Sequence, residues 1–88
     1  MASYASELTA TSTSPQRIDL SGAYLFIIEI ASENARIAFN QDGFASSANY
    51  RTMAVGSTMA LDLPREASLS LWVRGDSSTT VARVMVFR

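Results

Sequence analysis

The groups in this chain that can do chemistry are carboxylates, hydroxyls and guanidiniums: eight Asp and Glu, seven basic residues that are all arginine, and no histidine, cysteine or lysine. That inventory lacks the usual base for a serine nucleophile, the thiolate and the Schiff-base amine. Paired carboxylates can hydrolyse glycosides, yet the acids are scattered over turns and strand ends, and 88 residues leave little room for a substrate cleft. A reaction needs nucleophile, base and orienting group together, so the chain reads as a non-enzyme with no catalytic residue and no cofactor. The same absences exclude structural zinc of the cysteine and histidine kind. Asp42 and Asp76 each adjoin a glycine. Neither belongs to a spaced acidic calcium loop, and both read as turn residues whose side chains accept local backbone N–H groups rather than hold a metal.

Residues suited to binding are easier to find. Trp72, Arg83, Met85 and Phe87 are of types enriched at interface centres. They fall in the closing segment, where SLSLWVR and TVARVMVF flank the polar GDSST, a pattern that predicts a β-hairpin. With Trp72 opposite Arg83, Leu69, Leu71, Val73, Ala82, Val84 and Val86 share an apolar inner face, because side chains alternate across a strand. The outer face then carries Trp72, Arg74, Arg83, Met85 and Phe87, with a Trp72–Arg83 cation–π contact of about 0.5–1 kcal/mol, and forms a candidate partner patch. Arg74, Gly75 and Asp76 also spell a tripeptide known for integrin binding, displayed at the expected hairpin tip. Three common turn and strand-end residues often meet by chance, so the structural reading is preferred.

The remaining elements must position that segment. Ala23 to Ile30, AYLFIIEI, is the most apolar run and predicts a strand with Tyr24, Phe26, Ile28 and Ile30 on one side and Leu25, Ile27 and Glu29 on the other. Both sides are largely apolar, so something is expected to cover the second. Ser32 to Asn34 fits a short loop with Asn34 left-handed, followed by a strand from Ala35 to Asn40 with Ile37 and Phe39 inward. Phe44 to Gly56 reads as a long irregular loop, and its Tyr50 and Arg51 make a second candidate contact surface. Thr58 to Leu63 resumes alternation. Pairing Leu63 with Leu69 and Leu61 with Leu71 predicts a three-stranded meander, the alternative being a Pro64 to Ala67 connection that arches to a second sheet. Arg17 to Leu20 predicts a short edge strand. Residues 1–16 are rich in Ser, Thr and Ala, with only Tyr4 and Leu8 as large apolar anchors. They predict a flexible arm, ordered only by adding to a sheet edge or lying on a neighbour. The expected fold is all-β: a small antiparallel β-sandwich or jelly-roll-like barrel over residues 17–88, with an extended N-terminal arm.

Composition bounds the rest. An apolar content of 48% argues for one folded domain, but a chain of this size buries only about 60–65% of its unfolded surface. With no disulfide or zinc available, self-association is the remaining support. A net charge of −1 without lysine lacks the footprint of a general nucleic-acid binder. Neither a basic-apolar leader nor a long apolar span is present, so a soluble chain that avoids membranes is expected.

Three stretches, NARIAFNQDGFAS, VGSTMALDLP and ASLSLWVRGDSSTTVARVMVF, run from Asn34 to Phe87. They set a strand ending in a polar turn before a Ser/Ala-rich loop, then an apolar strand after glycine and a terminal aromatic-bearing pair with a Ser/Thr-rich tip. In this order the chain resembles small β-rich structural proteins of tailed bacteriophage particles. The resemblance implies a virion role, either capsid decoration and cementing or a head-fibre or tail adaptor, and carries over no site residues. The resulting expectation is a homo-oligomer, dimer or trimer, made in the host cytoplasm and bound to the major capsid protein or another virion protein on the capsid surface. Its interface would draw on Tyr4, Leu8, Tyr50, Arg51, Trp72, Arg74, Arg83, Met85 and Phe87. From a different class, an adhesive or carbohydrate-binding module would need a platform of exposed aromatics, to which only Trp72, Tyr50 and Tyr4 could contribute.

Overall fold

The computed structural model describes residues 3–46, 48–64 and 69–88. Eight strands follow in order: β1 (Ser3–Ala10), β2 (Gln16–Asp19), β3 (Leu25–Ser32), β4 (Ala35–Ala38), β5 (Arg51–Met53), β6 (Thr58–Asp62), β7 (Ser70–Gly75) and β8 (Thr80–Phe87), with a short 3-10 helix, Gln41–Ala45, between β4 and β5. Burial alternates residue by residue. Phe26, Ile28 and Ile30 of β3 are fully buried while Leu25, Ile27 and Glu29 between them are half-buried. The same period runs through β7, where Leu71 and Val73 are buried, and β8, where Ala82, Val84 and Val86 are. These residues meet between two four-stranded antiparallel sheets, the first in the order β1-β8-β3-β6 and the second β2-β7-β4-β5. The all-β sandwich expected from the sequence is therefore the architecture found. Among the described residues no buried side-chain nitrogen or oxygen lacks a hydrogen-bond partner.

The connectivity differs from the expected one. Every connection except β4 to β5 passes from one sheet to the other, so β7 and β8 are not a hairpin. β8 is hydrogen-bonded between β1 and β3, and β7 between β2 and β4. Leu71 and Val84 do line one core, but from opposite walls. Alternation is the same whether two apolar strand faces lie side by side or look at each other across a core. For the same reason the β6–β7 meander does not form. Leu61 pairs with Phe26 and Leu71 with Ile18, and the arching alternative is the one found. Most of the Pro64 to Ala67 connection, and Ser68, lie outside the described residues.

Several local expectations are corrected as well. The segment expected to be a flexible arm contains β1, paired along its whole length with β8. Backbone hydrogen bonding to a waiting sheet edge holds it, where the count of large apolar side chains suggested too little to order it. Arg17 is within the expected edge strand, β2. Ile37 is buried, but Phe39 is 54% exposed, because β4 stops at Ala38 and the chain turns into the 3-10 helix. The supposed long loop, Phe44 to Gly56, thus holds the end of that helix and all of β5. In the β3–β4 turn the left-handed residue is Glu33, at φ 57°, not Asn34. Asn34 instead ties loops together: its Oδ1 accepts the Val55 N–H at 3.0 Å and its carbonyl accepts the Asp76 N–H at 3.0 Å.

Thr80 fixes the β7–β8 crossover. It is fully buried, with its hydroxyl 2.8 Å from the Ser32 carbonyl and 3.0 Å from that of Glu33. Gly75 closes the other side, where a Cβ would run into the carbonyl of Ser78. Two outer faces are left pointing away from the core on opposite sides of the molecule.

Candidate functional site on two outer faces

On the first sheet the register sets out rows across the strands. Met85 stands between Ala5 and Ile27, with Ala60 beyond Ile27, and Phe87 stands beside Leu25. The next row is charged: Glu7, Arg83, Glu29 and Thr58. Arg83 lies 3.4 Å from Glu7 and 3.3 Å from Glu29, an exposed ion triad whose pairs contribute about 0–1 kcal/mol each. Two carboxylates to one guanidinium leave this row negative. Met85 is 43% exposed, and with Ile27, Glu7, Glu29 and Arg83 it lines a shallow depression of about 570 Å³. Among the described residues no strand or helix covers this face. It is the side of β3 that the sequence requires something to cover.

On the second sheet, Trp72 stands between Arg17 and Ala38, and Arg74 stands opposite Arg36. The 3-10 helix lies over Ala38, so close that a Cβ on Gly43 would come within 2.9 Å of the Ala38 Cβ. That approach brings Phe44 and Tyr50 together, their ring centres 6.5 Å apart. The Arg36 guanidinium sits 4.6 Å over the Tyr50 ring and its Nε donates to Asp76 Oδ1 at 2.6 Å. Arg74 sits 5.8 Å from the centre of the Phe44 ring and donates to the carbonyls of Gly75 and Asp76. Each stacked cation adds about 0.5–1 kcal/mol where solvent reaches it. At the far end of this face Arg17 Nε donates to Ser70 Oγ at 2.8 Å. Asp19 accepts the Ser21 N–H at 3.0 Å, and that hydrogen bonding, helped by the charges of Arg17 and Arg88, holds its carboxyl below its ordinary value.

The single patch expected from the sequence therefore splits. Arg83, Met85 and Phe87 belong to the first sheet, Trp72 and Arg74 to the second, and the Trp72–Arg83 cation–π contact does not exist. Tyr50 joins the second face through Arg36, while Arg51 is exposed at the start of β5, opposite Ile37. Leu8 leaves the interface set: it packs against the core. Tyr4 pairs with Val86 in the β1–β8 ladder. The Arg74-Gly75-Asp76 tripeptide is not displayed at a hairpin tip, because Gly75 is buried, Asp76 is held by Arg36 and Arg74 folds back on carbonyls. Reasoning from sequence missed Phe44, Arg36 and Glu7 as members of these faces. Phe44 stood in a supposed loop with no period to place it. Leu25 and Ile27 had a visible signal, the apolar second side of β3. Among the described residues no three carboxylates cluster as a metal site would require.

No protein-family model matches the chain, and no curated protein matches it significantly. Solved structures do. The chain is similar to a de novo designed double-stranded β-helix over 94% of its own length and 96% of the other, with TM-score 0.67 and 10% identity. It is similar to PirA over 94% and 93%, with TM-score 0.64 and 13% identity, and to the Yersinia pseudotuberculosis-derived mitogen over 99% and 86%, with TM-score 0.55 and 7% identity. At such identities the likeness defines the fold alone: a small antiparallel β-sandwich of the double-stranded β-helix kind.

Proposed function

We propose that this chain is a non-enzymatic structural protein that works by adhesion: a homo-oligomer that decorates and cements the outside of a bacteriophage capsid. The observation that carries the adhesive reading is the uncovered outer face of the first sheet, where Leu25, Ile27, Met85 and Phe87 form a contiguous apolar stretch beside a charged row. An apolar stretch rimmed by charge is the usual form of a protein contact surface. The capsid setting comes from the resemblance of the Asn34 to Phe87 segment to phage structural proteins. Symmetric attachment would multiply modest single contacts into firm retention.

A sugar platform is disfavoured by the second face. Tyr50 and Phe44 already have arginines stacked on them, which leaves Trp72 without the flat aromatic neighbours that sugar binding uses. The test is light scattering on the purified protein followed by co-sedimentation with empty capsid shells. The expected result is a mass above the 9.5 kDa of one chain and saturable binding to shells. A strict monomer that stays in the supernatant would overturn the reading, and glycan binding lost on Trp72→Ala would replace it with the carbohydrate-binding one.

A further inference from the structure

Charge divides the molecule. Among the described residues, Arg83 is the one arginine on the outer face of the first sheet, where it stands with Glu7, Glu29 and Asp62. Arg17, Arg36, Arg51 and Arg74 belong to the second sheet, and Arg88 reaches it by donating to the carbonyls of Asp19 and Ser21 at 2.7 and 3.1 Å. The carboxylates on that side are Asp19, Asp42 and Asp76. Among the described residues the first face thus sets three carboxylates against one arginine; with Arg51 opposite Ile37 on the core side of β5 and Glu33 in the turn between the sheets counted on neither face, the second sets four arginines against three carboxylates.

Each face also places an apolar anchor next to its charges. On the first sheet Met85 and Ile27 are cross-strand partners, and Arg83 and Glu29 form the next outward pair along the same strands. On the second sheet Trp72 has Arg17 across the strand pair and Arg74 two residues on. We propose that copies of this chain stack head to tail, with Trp72 and the neighbouring Arg17 on the second sheet of one copy seated in the acidic, Met85-lined depression on the first sheet of the next. Trp is a residue type that anchors interfaces when a pocket receives it, and a methionine sulfur makes favourable contact with an aromatic ring. Arg17, whose side chain is 52% exposed, then meets the Glu7 and Glu29 side, and opposite charges steer the encounter and set its register. Pairing first sheet with first sheet would instead bring two acidic faces together. Because two different surfaces meet, the contact is heterologous and propagates into a ring if the rotation closes or a filament if it does not.

The proposal rests on the reading of self-association above and specifies its geometry. The test is a mixing experiment with two variants, Met85→Arg to fill and repel at the depression and Trp72→Thr to remove the anchor while keeping strand propensity, both checked for wild-type melting. Should either melt early, Glu7→Arg and Arg17→Glu on the exposed edge strands take the same two roles. The expected result by light scattering is a wild type heavier than 9.5 kDa, each variant alone at 9.5 kDa, and an equimolar mixture at twice that mass. The mixture forms because one variant keeps the Trp72 face and the other keeps the depression. A variant that remains dimeric alone, with nothing new on mixing, overturns head-to-tail stacking and leaves self-association standing. A monomeric wild type overturns both.

Discussion

Glu33 holds a left-handed backbone, φ 57°, at the turn that carries β3 of one sheet into β4 of the other. A non-glycine residue there costs roughly 1–2 kcal/mol, and glycine would recover part of it while losing about 0.5–1 kcal/mol in unfolded-chain entropy. Glu33→Gly is therefore expected to stabilise the fold by up to about 1 kcal/mol, measured as a higher urea midpoint at unchanged slope. The Glu33 carbonyl that Thr80 contacts is backbone and survives the change. Asp19 gives a pH signature. Hydrogen bonding from Ser21, then Arg17 and Arg88, depresses its carboxyl in the folded state. A depressed carboxyl favours folding above its unfolded value, about 4, and that contribution disappears as pH falls through the lower folded value. Melting temperatures of wild type and Asp19→Asn should thus differ by a constant amount above about pH 4 and converge in more acidic buffer.

At the scale of elements, strands were legible and their partners were not. The alternation of Phe26, Ile28 and Ile30, or of Val84 and Val86, marks a strand and its buried side without help from the rest of the chain. Whether β7 lies beside β8 or across from it depends on backbone bonds to β2 and β4, more than thirty residues away, and no local pattern records that choice. The second face suffers most, since Arg36, Phe44, Tyr50 and Arg74 meet only once the 3-10 helix lies on Ala38. The first face fared better because Leu25 and Ile27 already made β3 apolar on both sides. The crossover after β7 has its own test. A side chain at Gly75 meets the Ser78 backbone, which cannot move without disturbing Thr80 and its contacts with the Ser32 and Glu33 carbonyls. Gly75→Ala is expected to cost about 1–3 kcal/mol, the range for forced overpacking, seen as a lower urea midpoint.

For the molecule as a whole, 88 residues without disulfides leave a modest core and two opposite faces that differ in charge and each carry apolar groups. The proposed self-association would support such a chain by covering those faces. Its single tryptophan stands on one of them, so intrinsic fluorescence reads that site without a label. Emission should move to shorter wavelength as the protein is concentrated and Trp72 leaves water, with the shift tracking the rise in mass and absent in Met85→Arg. An emission maximum that stays constant across the concentrations where the mass rises would contradict a Trp72-centred contact, and constant emission with constant mass would contradict adhesion by this protein to itself altogether.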